Sequence, residues 1–168
     1  MTRSITLEAT AYHEAGHMVA AVHLGVPIRH ATIVSGQNAL GKYAGSIRHQ
    51  PLFPMFEIEA GDIGRIEGKV SKRIIILLAG PIAQRRFRRS SWRSWHGRID
   101  YETAADLAQT LNGGDEKATN AYLKWLSLRA ERLVDFDWPD VVACAERLMS
   151  RKTLSSREVL EAIREAVA

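Results

Sequence analysis

Ala11-Tyr12-His13-Glu14-Ala15-Gly16-His17-Met18-Val19-Ala20-Ala21-Val22 is the stretch that decides how this chain folds. Its small and apolar residues recur at helical spacing and predict a helix that ends near Gly25 and Pro27. Because an α-helix turns by about 100° per residue, His13 and His17 project from the same face, one turn apart. Two imidazoles in this arrangement can share one metal ion.

Glu14 follows the first of these histidines and completes a His-Glu-x-x-His pattern. On a helix, this pattern is typical of metallopeptidases in which the histidines bind zinc and the glutamate is the general base toward a zinc-bound water. The same pattern also arises by chance in helices whose histidines and glutamate are ordinary surface residues. We therefore treat His13 and His17 as candidate zinc ligands and Glu14 as the candidate catalytic base.

A catalytic zinc ion usually takes three protein ligands and keeps one position for water, so a third ligand is needed. His23 stands where the longer pattern His-Glu-x-x-His-x-x-Gly-x-x-His has its last histidine, but Ala20 replaces the glycine of that pattern. If the helix continues, His23 lies about 600° beyond His17 and faces away from the ion. Glu102, Asp106 and Asp115 are further candidates, and the spacing alone leaves the choice open.

Composition places the chain among ordinary globular proteins. Its 168 residues, 46% hydrophobic and 25% charged, suffice for one core, and we expect residues 1–168 to form a single domain. The most apolar run, Ile74 to Ala83, is too short to span a membrane and predicts a buried helix that Pro81 interrupts or restarts.

The expected setting is cytoplasmic. No secretory signal pattern is visible, and the single cysteine, Cys144, cannot form an internal disulfide. The net charge of +4 permits contact with acidic partners without requiring them.

The remaining pattern predicts a mainly α (α+β) fold. Residues 31–34 and 43–47 are β-prone and flank turn-forming residues, which predicts a small β-hairpin or sheet beside the His-Glu-x-x-His helix. Helical spacing returns at 69–87, 100–111 and 115–134, and further helices begin near Pro139 and after the capping box Ser155-x-x-Glu158. We therefore expect a metal-site half with the sheet (1–111) and a C-terminal helical bundle (112–168).

Four segments resemble the peptidase domain of the FtsH family, the membrane-bound AAA zinc metallopeptidases. Residues 11–17 are similar to the start of that domain, and residues 31–34 with 39–41 are similar to its short strand and Leu-Gly turn. Residues 77–83 are similar to its Leu-x-Gly-Arg-x-Ala segment. Residues 100–108 are similar to its Asp-x-x-x-Ala-Thr-x-x-Ala helix start.

This resemblance implies a site and an activity. The family's third zinc ligand is the aspartate that leads the last segment, and it corresponds to Asp100. An aspartate at a helix start can equally be a cap, where the positive end of the helix dipole stabilises it. The resemblance thus implies Zn²⁺ held by His13, His17 and Asp100. It also implies an endopeptidase that cleaves unfolded or flexible polypeptides, with Glu14 as its base.

The chain also departs from the family. Gln84 and Arg85 replace the family's paired glutamates, and no Gly-x-x-x-x-Gly-Lys-Ser/Thr phosphate loop or membrane span is present in these residues. We therefore expect an ATP-independent, stand-alone peptidase domain, with an ATPase or adaptor acting in trans and a homo-oligomer left open. The alternative is a catalytically weak or inactive zinc protein that binds peptides or a partner.

Residues 85–98 contain six arginines and two tryptophans. Arginine can contact phosphates and tryptophan can stack on bases, so this stretch raises the question of nucleic-acid binding. Because the stretch leads directly to Asp100, we interpret it as the rim of the cleft or a partner surface and do not expect a nucleic-acid partner.

Overall fold

The computed structural model describes residues 7–34, 36–38, 41–43, 46–49, 63–89 and 97–167. These residues form a mainly helical fold with small antiparallel sheets, as predicted. The helices are α1 (Leu7–His23), α2 (Ile63–Phe87), α3 (Arg98–Leu111), α4 (Glu116–Phe136), α5 (Trp138–Arg151) and α6 (Ser156–Val167); the strands are β1 (Ile28–Thr32), β2 (Gly36–Asn38), β3 (Gly41–Tyr43), β4 (Ser46–His49) and β5 (Thr153–Ser155).

Helix α1 carries the His-Glu-x-x-His pattern through the centre of the molecule. Most of its residues are buried, and it packs mainly against α2 and α5. Helix α1 ends at His23 and is followed by Gly25, whose φ of +68° is a left-handed conformation that favours glycine. The N–H of Val26 donates to the carbonyl of Ala21 at 2.8 Å, and Gly25 donates to Val22 at 3.0 Å. This Schellman motif accounts for the predicted stop.

Helix α2 packs against α1 at a point where no side chain fits between them. A Cβ atom at Gly16 would lie 2.5 Å from the carbonyl oxygen of Ala79 and 2.7 Å from Cβ of Ala83. Glycine at this position therefore allows the two helix backbones to approach closely. The approach brings one face of α2 against the face of α1 that holds His13 and His17.

Residues 74–83 of α2 are buried, as the sequence predicts. The predicted break at Pro81 is wrong, because α2 continues from Ile63 to Phe87 with the proline inside it. A proline inside a helix removes one hydrogen bond and costs about 3 kcal/mol. Packing of α2 against α1, α3 and α4 offsets that cost.

Strand β1 lies at the centre of a three-stranded sheet, between β4 and β5. Ala31 pairs with Ile47 on one side and with Leu154 on the other. The predicted second strand at 43–47 is divided, since β3 ends at Tyr43 and β4 begins at Ser46. Strands β2 and β3 form a separate hairpin, and β5 comes from the C-terminal part of the chain.

Helices α4 and α6 each begin at a side-chain cap, and the sequence predicts the second of these caps. Asp115 accepts a hydrogen bond from the N–H of Ala118 at 2.8 Å at the start of α4. The N–H of Ser155 donates to Glu158 at 2.8 Å, which is part of the predicted capping box before α6. Among the described helices, none combines the length and the apolar character that crossing a membrane requires.

Gly16→Ala should destabilise the protein, because the added methyl group would collide with the α2 backbone. We expect the free energy of unfolding to fall by about 2 kcal/mol, the usual range for overpacking. Gly68→Ala is the matched control, since a Cβ there meets nothing within 4 Å. That variant should gain up to about 1 kcal/mol from helix propensity. Equal unfolding midpoints for the two variants in denaturant titrations would contradict close packing at Gly16.

Candidate metal centre

His13, His17 and Asp100 converge on one point between α1 and the start of α3. The Nε2 atoms of the two histidines are 3.1 Å apart. Oδ2 of Asp100 lies 3.1 Å from Nε2 of His13, and Oδ1 lies 3.7 Å from Nε2 of His17. The structure therefore brings all three predicted ligands into one cluster that could hold a metal ion.

The opposite nitrogen of each ring is held by α2. Nδ1 of His17 donates to the main-chain carbonyl of Ile76 at 2.7 Å, and Nδ1 of His13 donates to Oε1 of Gln84 at 3.1 Å. Because both acceptors are carbonyl oxygens, the proton of each neutral ring is on Nδ1. The lone pair of each ring is then on Nε2 and faces Asp100.

This arrangement fits a metal ion. Two nitrogen lone pairs and a carboxylate face one another at hydrogen-bonding distance. A single proton can form a hydrogen bond between only two of these three groups at a time. A divalent cation accepts electron pairs from all three groups. Two histidines and one carboxylate, each histidine fixed through its other nitrogen, form a donor set that suits zinc.

The electrostatics of the cluster favour the neutral form of His17 and the ionised form of Asp100, which are the forms that bind metals. Burial lowers the pKa of the His17 imidazole to about 4, so the ring is neutral at neutral pH. Burial opposes ionisation of Asp100, but its electrostatic interactions with His17 and His13, the hydrogen bond with His13 and the charge of Arg73 outweigh burial and lower the Asp100 pKa. For His13, burial is outweighed by the hydrogen bond to Asp100 and by the charges of Glu14 and Asp100, which raise its pKa.

Glu14 is 5% exposed and lies beside this cluster on α1. Burial raises its pKa to about 7; the charge of His13 opposes the shift and that of Asp100 adds to it. Within the described residues, its carboxyl group forms no hydrogen bond or ion pair. A buried carboxyl group without a partner is costly and is a common feature of functional sites. With a pKa near 7, it can both accept and return a proton near neutral pH.

Gly80 is a site residue that the spacing does not reveal. A Cβ atom at this position would lie 2.8 Å from Cδ2 of His17 and closer still to Cε1 and Nε2. Gly80 therefore provides the space that the imidazole occupies. The family resemblance covers this glycine within 77–83, but its contact with His17 depends on how α2 packs against α1.

His23 belongs to a different cluster, in agreement with the expectation that it faces away from the first. Its Nδ1 lies 3.2 Å from Asp137 and its Nε2 lies 3.0 Å from Asp140. Both ring nitrogens thus lie within hydrogen-bonding distance of carboxylate oxygens. The cluster connects the end of α1 to the start of α5.

The other candidate ligands also lie away from the metal cluster. Glu102 accepts a hydrogen bond from Arg98 at 2.7 Å, and Asp115 caps α4. Asp106 is exposed on α3. Among the candidates considered from the sequence, Asp100 is the one that the structure places with His13 and His17.

Part of the arginine-rich and tryptophan-rich stretch, residues 90–96, lies outside the described residues. Within the described part, Arg85 pairs with Glu131 at 3.4 Å and Arg86 pairs with Asp135. These two arginines therefore connect the end of α2 to α4.

Comparison with known proteins gave no assignment. No protein-family model matches the chain, and no curated protein matches it significantly. The function therefore has to be inferred from the residues and geometry of the site.

Gly80→Ala should abolish or strongly weaken metal binding, because the methyl group would displace the His17 ring. Isothermal titration with zinc should show an affinity at least about tenfold lower than that of the unaltered protein. Gly68→Ala, on the same helix and in open space, should bind zinc normally. Normal zinc affinity in Gly80→Ala would show that His17 is not held against this glycine.

His23→Ala should leave zinc binding unchanged and reduce stability. Removing the imidazole leaves two largely buried carboxylates, Asp137 and Asp140, without the ring nitrogens that face them. We expect a loss of about 2 kcal/mol in the free energy of unfolding. Loss of zinc at unchanged stability would instead place His23 among the ligands.

Proposed function

We propose that this protein is a zinc-dependent endopeptidase that hydrolyses peptide bonds of unfolded or flexible polypeptides. The observation that carries the proposal is Glu14, which is buried and has no hydrogen-bond or ion-pair partner in the described part of the chain, beside three convergent ligand groups, His13, His17 and Asp100. A structural ion-pair cluster would need no free carboxyl group beside it. The sequence resemblance to FtsH-type peptidases supports the same assignment.

In this proposal His13, His17 and Asp100 hold the zinc ion. When bound, zinc supplies a Lewis acid that polarises the scissile carbonyl and makes water more acidic. Glu14 accepts the proton of the attacking water and later returns it to the leaving amine. The carbonyl of Ile76, the Gln84 side chain and the space at Gly80 keep the two imidazoles aimed at the ion.

The sheet offers a way to bind an extended substrate. Among the described strands, β4 lies at one edge of the three-stranded sheet and contacts α1. A peptide that adds to such an edge is recognised mainly through its backbone, which suits an enzyme with little sequence selectivity. Only unfolded or flexible segments can adopt that conformation. An ATPase or adaptor in trans, homo-oligomerisation and a cytoplasmic location remain predictions.

The second candidate is a zinc protein with weak or no catalysis that binds peptides or a partner. The replacement of the family's paired glutamates by Gln84 and Arg85 favours it, because one of these positions contacts a proposed ligand. Zinc-loaded protein incubated with casein should release fragments, and a chelator should stop the release. Casein binding without cleavage would favour the second candidate.

Glu14→Gln should separate metal binding from catalysis. The amide has nearly the same shape but cannot accept the proton, so peptide cleavage should fall about 10²–10⁴-fold while zinc content stays at one ion per chain. Cleavage rates and metal content are measured on the same preparation. Full activity in this variant would disprove the general-base role.

Asp100→Ala should lower zinc affinity by removing one of three ligands. Asp106→Ala is the matched control, because Asp106 is an exposed aspartate on the same helix. Competition with a chromogenic chelator should show weakened binding for the first variant only. Equal affinities would exclude Asp100 as a ligand.

A further inference from the structure

Gln84 contacts the proposed metal site through a proposed ligand. Its side chain is 2% exposed, and Oε1 accepts the Nδ1 proton of His13 at 3.1 Å. Gln84 lies on α2 one turn beyond Gly80, and so on the same face of the helix. The two residues together restrain both histidines from the α2 side.

The orientation of the Gln84 amide decides which nitrogen of His13 faces the cluster with a lone pair. With Oε1 toward His13, the ring proton is on Nδ1 and the Nε2 lone pair faces Asp100. With the amide reversed, its N–H would donate to Nδ1 and the ring proton would move to Nε2. That proton would point into the cluster, where it would block metal binding.

His17 is held differently, because its Nδ1 donates to the main-chain carbonyl of Ile76. A carbonyl can only accept, so the His17 tautomer is fixed by the backbone and no side-chain substitution removes its partner. The His13 tautomer depends on a side-chain amide, which has both a donor and an acceptor end. The two histidines can therefore be perturbed separately.

The charge of Gln84 is the second consideration. A carboxylate that accepts from the far nitrogen of a ligating histidine fixes the ring and also raises its basicity. A carboxamide fixes the ring without adding charge. The site already contains two buried or partly buried acidic groups, Glu14 and Asp100. A neutral residue at 84 thus orients His13 without a third negative charge.

We propose that Gln84 is a positioning residue that fixes the ring and tautomer of His13 for metal binding, and that its neutral amide keeps metal affinity below what a carboxylate would give. The proposal rests on the proposed zinc site, and it adds that Gln84 sets how tightly this site binds zinc. It assigns Gln84 no contact with the substrate.

The test compares zinc affinities of Gln84→Met, Gln84→Glu and the unaltered protein by chelator competition. Methionine has a similar length but gives His13 only a weak acceptor, so affinity should fall about 10–100-fold. Glutamate keeps the acceptor and adds charge, so affinity should rise about tenfold. Gln109→Met, at an exposed position on α3, is the control for the substitution itself and should bind zinc normally.

Imidazole nitrogen shifts measured by NMR in the metal-free protein provide a readout that a merely structural role would not move. At alkaline pH, His13 should be an Nδ1–H tautomer in the unaltered protein and in Gln84→Glu. If Gln84→Met does not fold, Gln84→Glu should still fold and provides the comparison. Gln84→Met should show a mixture that includes Nε2–H.

Two results would overturn the proposal. Unchanged zinc affinity and unchanged His13 tautomer in Gln84→Met would exclude the positioning role, and affinity in Gln84→Glu equal to or below that of the unaltered protein would exclude the charge effect. Failure of the unaltered protein to bind zinc would instead contradict the proposed function. The tautomer measurement would still decide whether Gln84 positions His13.

Discussion

The structure depends on the close approach of α1 and α2. Gly16 allows the two backbones to approach, and Gly80 leaves the volume that the His17 ring fills. Because cores are packed as densely as organic crystals, neither position can gain a methyl group without moving a helix or a ring. The same approach brings the Ile76 carbonyl and the Gln84 amide within reach of the two histidines. Helix packing and site geometry are therefore set by one contact.

The cluster that this contact creates brings three electron-pair donors together. When both rings are neutral, two Nε2 lone pairs and the Asp100 carboxylate face one another in a site that is mostly closed to water. Burying polar groups without partners costs free energy, and so does burying the Glu14 carboxyl group, which has no hydrogen-bond partner among the residues that the structure describes. Folded proteins usually keep such costs where a ligand or a reaction uses them. A bound metal ion would accept an electron pair from each of the three groups, and a proton acceptor role would explain Glu14.

Local periodicity was enough to place part of this site. The four-residue spacing of His13 and His17 fixes their common face because the helical period is a local property. The Schellman stop at Gly25 and the capping box at Ser155 are likewise short-range features. Asp100 required the family resemblance, since no local rule connects residues 17 and 100.

The remaining features depend on long-range packing, which sequence spacing does not encode. In the sequence, Gln84 is notable only because it replaces a glutamate of the family. In the structure, its amide oxygen lies within hydrogen-bonding distance of Nδ1 of His13. Strand β5 is only three residues long, so it has no periodic signal of its own. It pairs with β1, which is far away in the sequence. The break predicted at Pro81 is wrong because burial of α2 on three sides outweighs a local penalty.

The central claim is that His13, His17 and Asp100 bind one zinc ion. Its most direct test is a crystal structure of the zinc-loaded protein with anomalous data at the zinc edge. We predict one anomalous peak between α1 and α3, with Nε2 of both histidines and a carboxylate oxygen of Asp100 at about 2.0–2.2 Å from it. A peak at His23, Asp137 and Asp140 alone, or no peak at all, would contradict it.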